Sequence, residues 1–354
     1  MLAAVTARPL VPDRDRGATT VGGYLDRQVE MLEDALRCGD RLAARMIRAT
    51  VAREATQDEV LASALTPEVA RTAIARDHGY EDWSAAQGHA EEPIDADFET
   101  ACDAIQWGEL DLLRVLLDAR PALVHARSPF AHRATLLHHV AANGIEVERQ
   151  IQSPSGAVDI AALLLARGAE ADALCDTYGG GRNQTTLCLL VSSTIPAAAG
   201  VQAPLVEELC RGGARADGLD DDGAPLWTAI TFGYTEAAEA LARCGARVDN
   251  LVFAAALGRL DAVQGYFDAD GTLLPGPAWG TIRAAPGGSR LDPDRLVDYA
   301  LIWAALHGRR VVVEFLIAKH PDLAFTEPFF NSTAYGAARH GRHEEIAALL
   351  AAAG

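Results

Sequence analysis

Three histidines within eight residues, His132, His138 and His139, are the first place in this chain to look for chemistry. Imidazole moves protons near neutrality and binds transition metals. A zinc site, however, takes its ligands at regular intervals, usually with a cysteine or carboxylate in the set, and successive residues of a helix point about 100° apart. The trio meets neither requirement, so no metal and no cofactor is expected there. The acidic stretch DGLDDDG, residues 217–223, resembles a calcium loop but lacks its leading aspartate and the bidentate glutamate at position twelve, and so reads as a turn. The single lysine, Lys319, stands against thirty arginines. With no lysine in a GxxxxGK[ST] context a Walker-type phosphate grip is excluded, and Lys319, at a helix end before His320 and Pro321, lacks the dry surroundings of a Schiff-base lysine. The motifs GxSxG, HExxH and GxGxxG are absent. Six scattered cysteines form no CxxC pair and read as small buried hydrophobes.

The 354 residues are 49% hydrophobic and carry a formal charge of −18, enough apolar material for a real core and the wrong sign for broad binding to phosphate backbones. Nucleic acid is therefore not an expected partner. No apolar run is long enough to span a membrane, and the N-terminal MLAAVTARPLVPDRDRG meets charge and proline before a secretory core can form. A cytoplasmic protein without membrane contact is expected.

The elements that would position any reactive side chain repeat every thirty-odd residues. TLLHHVAANG (135–144) is followed by GAVDIAALLLARGAEADA (156–173), and the same two-part unit returns in APLWTAITFGYTEAAEALARCGARVD (224–249) and DYALIWAALHGRRVVVEFLIAKHPDL (298–323). Weaker copies begin near residues 98, 185, 251 and 332. Small residues such as Ala141, Ala304 and Ala305 let short inner helices approach closely, Leu163, Leu164 and Leu165 fill the space between pairs, and Gly108, Gly144, Gly233, Gly258, Gly308 and Gly341 are placed to end the inner helices. These segments resemble the ankyrin pattern TPLHxAAxxG…GHLEIVxLLLxxGADVNA. The resemblance implies an all-α solenoid of stacked helix-turn-helix units, about seven of them over residues 98–354, and a bacterial ankyrin-repeat protein with a helical leader. It also gives His138 a structural role.

Residues 24–92 form that leader, an N-terminal helical domain: YLDRQVEMLEDALRCGDRLAARMIRA is amphipathic at helical spacing, and Thr66 and Pro67 open a further helix that stops at Gly79. Tyr80 and Trp83 are expected to anchor it to the first repeat, and residues 1–20 to form a disordered tail. Three connections are longer than the repeat needs: 145–156, 195–204 and 268–293, the last carrying Trp279. The first two are expected to wall one edge of a groove, with Tyr178 and Arg182 of the finger DTYGGGRNQ (176–184) between them.

Aligning the units on their glycines places the variable fifth and ninth inner-helix positions on a concave face. Trp107, Asn143, Phe232, Phe253, Trp303 and His307 then join Tyr178 and Arg182 as candidate ligand-binding residues, and aromatic side chains gathered on a hollow surface mark binding. Asp103 and His139 occupy equivalent positions on neighbouring inner helices, close enough for the carboxylate to orient an imidazole as general base. The chain is thus expected to be an ankyrin-type recognition module for a protein or peptide. The alternative is a cofactor-independent, metal-free lyase, isomerase or hydrolase, or a binder of an apolar small molecule, working by acid-base chemistry through Asp103 and His139.

Overall fold

The structure, a computed structural model, describes residues 18–63, 66–178, 181–274, 276 and 291–354. Residues 1–17 of the expected tail, and most of the 268–293 connection with Trp279, lie outside the described residues. The chain divides into two compact units, Met1–Val201 and Gln202–Gly354, so the 24–92 leader shares a unit with the first repeats.

In the first unit the leader contributes α1 (Val21–Arg37), α2 (Arg41–Thr50), α3 (Gln57–Ala62), α4 (Pro67–Asp77) and α5 (Trp83–Gln87). Gly39, at φ +75°, and Asp40, whose carboxylate accepts the Leu42 and Ala43 N–H groups, split the first amphipathic stretch in two. The start expected at Thr66 and Pro67 is present, with the Thr66 hydroxyl accepting from Val69 N–H. Leu25, Ile47 and Ile74 fill the leader core. Tyr80 is buried inside that core and Trp83 packs partly against it. The ring that joins the leader to the repeats is Phe130, 4.4 Å from the His78 centroid and 5.2 Å from that of Tyr24.

Repeat pairs follow: α6 (Ala96–Trp107) with α7 (Leu110–Ala119) and a 3-10 turn (Leu136–Ala141) with α8 (Ala157–Ala166); α9 (Thr186–Leu190) packs on that 3-10 turn, and the short α10 (Thr194–Ala198) comes after it. The 195–204 stretch, expected as irregular wall, is instead helical over most of its length. The finger is footed by a small hairpin, β1 (Leu174–Cys175) antiparallel to β2 (Gln184–Thr185).

The second unit opens with α11 (Gln202–Arg211), packed on α13 (Thr235–Arg243), the partner of α12 (Ala224–Thr231). The pairs α14 (Leu251–Ala256) with α15 (Leu260–Gln264), α16 (Leu296–Leu306) with α17 (Arg310–Ile317), and α18 (Ala334–His340) with α19 (Glu344–Ala353) complete it. Inner helices α12, α14, α16 and α18 pack successively on one another. Each unit is a stack of helix-turn-helix pairs, the all-α architecture implied by the ankyrin-like sequence. Five of the six marked glycines lie at φ of 72–78°, the left-handed region. Gly341 does not (φ −71°); Arg342 takes the positive φ, and Gly341 is required because a Cβ would collide with the Leu306 carbonyl oxygen.

Two histidines latch these stacks. His138 Nδ1 accepts the Thr135 N–H at 3.1 Å, so Nε2 carries the proton and donates to Ala173 O at 2.9 Å, as the structural role requires. His307, expected in the groove, is buried instead: Nε2 donates to Ile230 O at 2.9 Å while Nδ1 accepts from the Thr235 hydroxyl at 2.7 Å. Burial pushes both imidazoles down to about 4. The unfolded chain takes up these protons near pH 6.5, so the latches stabilise fully above that value and weaken as pH falls toward 4. Urea denaturation should show each histidine removing about 2–3 kcal/mol between pH 7 and 4.5. His307→Gln, which keeps a donor and an acceptor but cannot titrate, should lose its share of that slope.

Candidate functional site

The structure does not assemble the aromatic row into one hollow. Phe253 and Trp303 are each 1% exposed, turned into the interior of the second unit, where Trp227 lies 6.0 Å from Phe253 and 5.6 Å from Trp303 between ring centroids. The fifth inner-helix position, expected to face solvent, is covered because the chain between α17 and α18 lays Phe329 over it, 6.0 Å from Trp227 and 6.4 Å from Trp303. Large rings gain most by leaving water, which decides the matter. The ninth position is divided, with His307 buried and two rings left in solvent. Trp107 and Phe232 remain 44% and 43% exposed, on the first and second units respectively.

Around Phe232 the second unit keeps further rings outside. Tyr234 stacks on it (6.2 Å, interplanar angle 11°), and Phe330, 56% exposed, meets it edge-on at 5.9 Å. Phe330 is held by the buried Glu327 carboxylate, which accepts N–H bonds from Phe329 (2.6 Å), Phe330 (2.9 Å) and Ser332 (3.1 Å). One carboxylate thus fixes a turn that leaves Phe329 half-buried against Trp227 and Trp303 and Phe330 exposed.

In the first unit the 145–156 connection is no exposed wall. Residues 145–150 are buried, with a 3-10 turn at Val147–Gln150, and they carry charge inward. Arg149 binds Glu99 at 2.5 Å and Glu146 at 3.3 Å, and lies 3.7 Å from Asp103. His132 Nε2 is 3.3 Å from Glu146, both side chains fully buried. Asp77 accepts the Val147 N–H at 2.9 Å, while its Oδ2 has no hydrogen-bond partner. Burial holds Asp77 well above the usual carboxylate range, against the lowering by that N–H. Ala142 (φ 45°) and Glu146 (φ 51°) hold left-handed backbone in the same turn, a strain the surrounding contacts must sustain.

The remaining expected residues fall around this knot. Asp103 lies beside the Arg149 guanidinium and His139 is buried. Asn143 gives its amide to Leu189 O at 3.1 Å and the Ser192 hydroxyl at 2.8 Å, clamping one repeat to the next. Tyr178 donates to Gln150 at 2.9 Å and packs against the leader, whereas Arg182 is 83% exposed on its side chain. Both line a cleft of about 840 Å³ whose other wall is the leader, with Arg53, Arg76 and Tyr80. Sequence reading missed those three, along with Asp77, Glu99, Glu146 and Arg149. The available signal was the charge in an overlong connection. Among the described residues no cluster of histidine, cysteine or carboxylate could hold a metal ion, and no helix is long and apolar enough to cross a membrane.

Removing one partner from a buried ionic knot strands the others. Arg149→Met should therefore cost about 3–5 kcal/mol in urea denaturation. Asp77→Asn keeps the acceptor for Val147 and replaces a carboxyl whose ionisation burial already disfavours, so it should cost less than about 1 kcal/mol. No protein-family model matches the chain, and no curated protein sequence matches it. Among solved structures it is similar to the ankyrin repeat domain of human ASB11, at 20% identity and a TM-score of 0.37, over 72% of this chain and 97% of that one.

Proposed function

We propose that the chain is a recognition module that binds a protein or peptide partner through the aromatic surface of Phe232, Tyr234 and Phe330. The observation that carries this reading is a contradiction in the second unit. Trp227, Phe253 and Trp303 are buried and Phe329 is half-buried beside them, yet Phe330, the next residue, is held in the open by a buried carboxylate bonded to three backbone N–H groups. Rings left outside in contact with one another, on a backbone that need not reorganise, lower the entropic cost of binding. With a formal charge of −18 the chain attracts a basic partner, and electrostatics would raise the association rate. Acid-base chemistry at Asp103 and His139 has less support, since Arg149 lies 3.7 Å from the carboxylate that was to charge the imidazole.

The paired substitution Phe232→Ser with Phe330→Ser should leave the melting temperature within a few degrees of the parent, since both rings are largely in solvent. It should abolish capture of proteins that the parent chain retains from a lysate. Val311→Ser, at an exposed site of the same unit, is the control and should retain them. Equal capture by both variants would count against the aromatic surface.

A further inference from the structure

The cleft of the first unit is lined by three arginines, Arg53, Arg76 and Arg182, against two acids, Glu81 and Asp176, in a chain whose formal charge is −18. Most arginines with described partners pair with carboxylates, as Arg120 does with Asp95 and Arg243 with Glu207. Those of the cleft differ. Arg76 donates to two backbone carbonyls, Thr50 O at 3.2 Å and Glu81 O at 3.3 Å, which fix its guanidinium without neutralising it. Arg53 makes no hydrogen bond or ion pair among the described residues. Arg182 reaches Asp176 only at 3.6 Å.

The walls between them are aromatic. Tyr178 is fixed by its bond to Gln150, and Tyr80 is buried with a hydroxyl that has no hydrogen-bond partner. Burial raises both phenols, Tyr80 to about 12, so neither adds negative charge at neutral pH. A volume of about 840 Å³ lies in the range of small-molecule sites. Guanidinium groups with no carboxylate of their own grip planar or tetrahedral oxyanions through paired N–H donors. The geometry points to a binding site for a small organic oxyanion, its carboxylate or phosphate held by Arg53 and Arg76 and its body lying between Tyr80 and Tyr178. This site is separate in sequence and chemistry from the aromatic surface of the second unit, and either reading can fail without the other.

Phenyl phosphate and benzoate are the probes, with phenol as their neutral counterpart, titrated calorimetrically into the full chain at low salt. At least one anion should bind saturably, phenol should not, and affinity should fall as salt is raised. Which anion binds more tightly distinguishes a phosphate from a carboxylate ligand. Arg53→Ala removes no hydrogen bond or ion pair among the described residues, so its melting temperature should match the parent while affinity drops about tenfold. Arg76→Gln should weaken binding similarly, and a normal melting curve would separate that loss from misfolding. Absence of binding by either anion, or unchanged affinity in Arg53→Ala, would overturn the assignment.

Discussion

A pair of helices five to twelve residues long cannot bury its own apolar face, and everything else in this protein follows from the need to stack such pairs. Inner helices α12, α14, α16 and α18 pack successively because alanines such as Ala254, Ala304, Ala305 and Ala338 leave no side chain in the way. Close approach also constrains the turns. At Gly341 the limiting factor is the Leu306 carbonyl of the preceding inner helix, not the backbone conformation. Buried histidines then tie the stacks by donating to carbonyls, His138 to Ala173 at the end of its own repeat and His307 back to Ile230 of α12, and their Nδ1 atoms accept only while the rings are neutral.

The same requirement explains where charge is allowed inside. A repeat with an overlong connection must place the extra residues somewhere, and residues 145–150 are folded inward between α6 and the leader. Arg149 enters with Glu99 and Glu146 around it, since a guanidinium in a dry interior is tolerable only when its charge is met and its donors are occupied. Asp77 has one N–H donor and no cation paired with it among the described residues, and burial raises its affinity for a proton. Leader and repeats are thereby held together by polar as well as apolar contacts, with Phe130 between Tyr24 and His78 as the apolar part.

Two surfaces remain once the stacks are complete, and they differ in chemistry. The second unit presents aromatic rings on a preorganised turn. The first presents a cleft where Arg76 is held by backbone carbonyls and Arg53 has no carboxylate partner among the described residues. A stacked-helix scaffold commonly places function on the segments that leave the repeat pattern, because those segments are not needed to propagate the core. Here the Glu327 turn and the finger at 176–184 are such segments.

The sequence by itself determined the repeat: glycines in phase with leucine pairs, the Thr66–Pro67 helix start and the structural His138 could all be read from local spacing. It also showed which connections were too long. Whether a given ring faces solvent was decided only in three dimensions, since Phe253 and Trp303 are buried, Trp303 with Phe329 beside it, while Phe232 at the end of α12 stays exposed. The pairing of Arg149 with Glu99, fifty residues earlier, was likewise invisible, because no local pattern encodes a contact between distant segments. Periodicity fixes the face a side chain takes relative to its own helix; only the packed neighbours decide whether that face meets water.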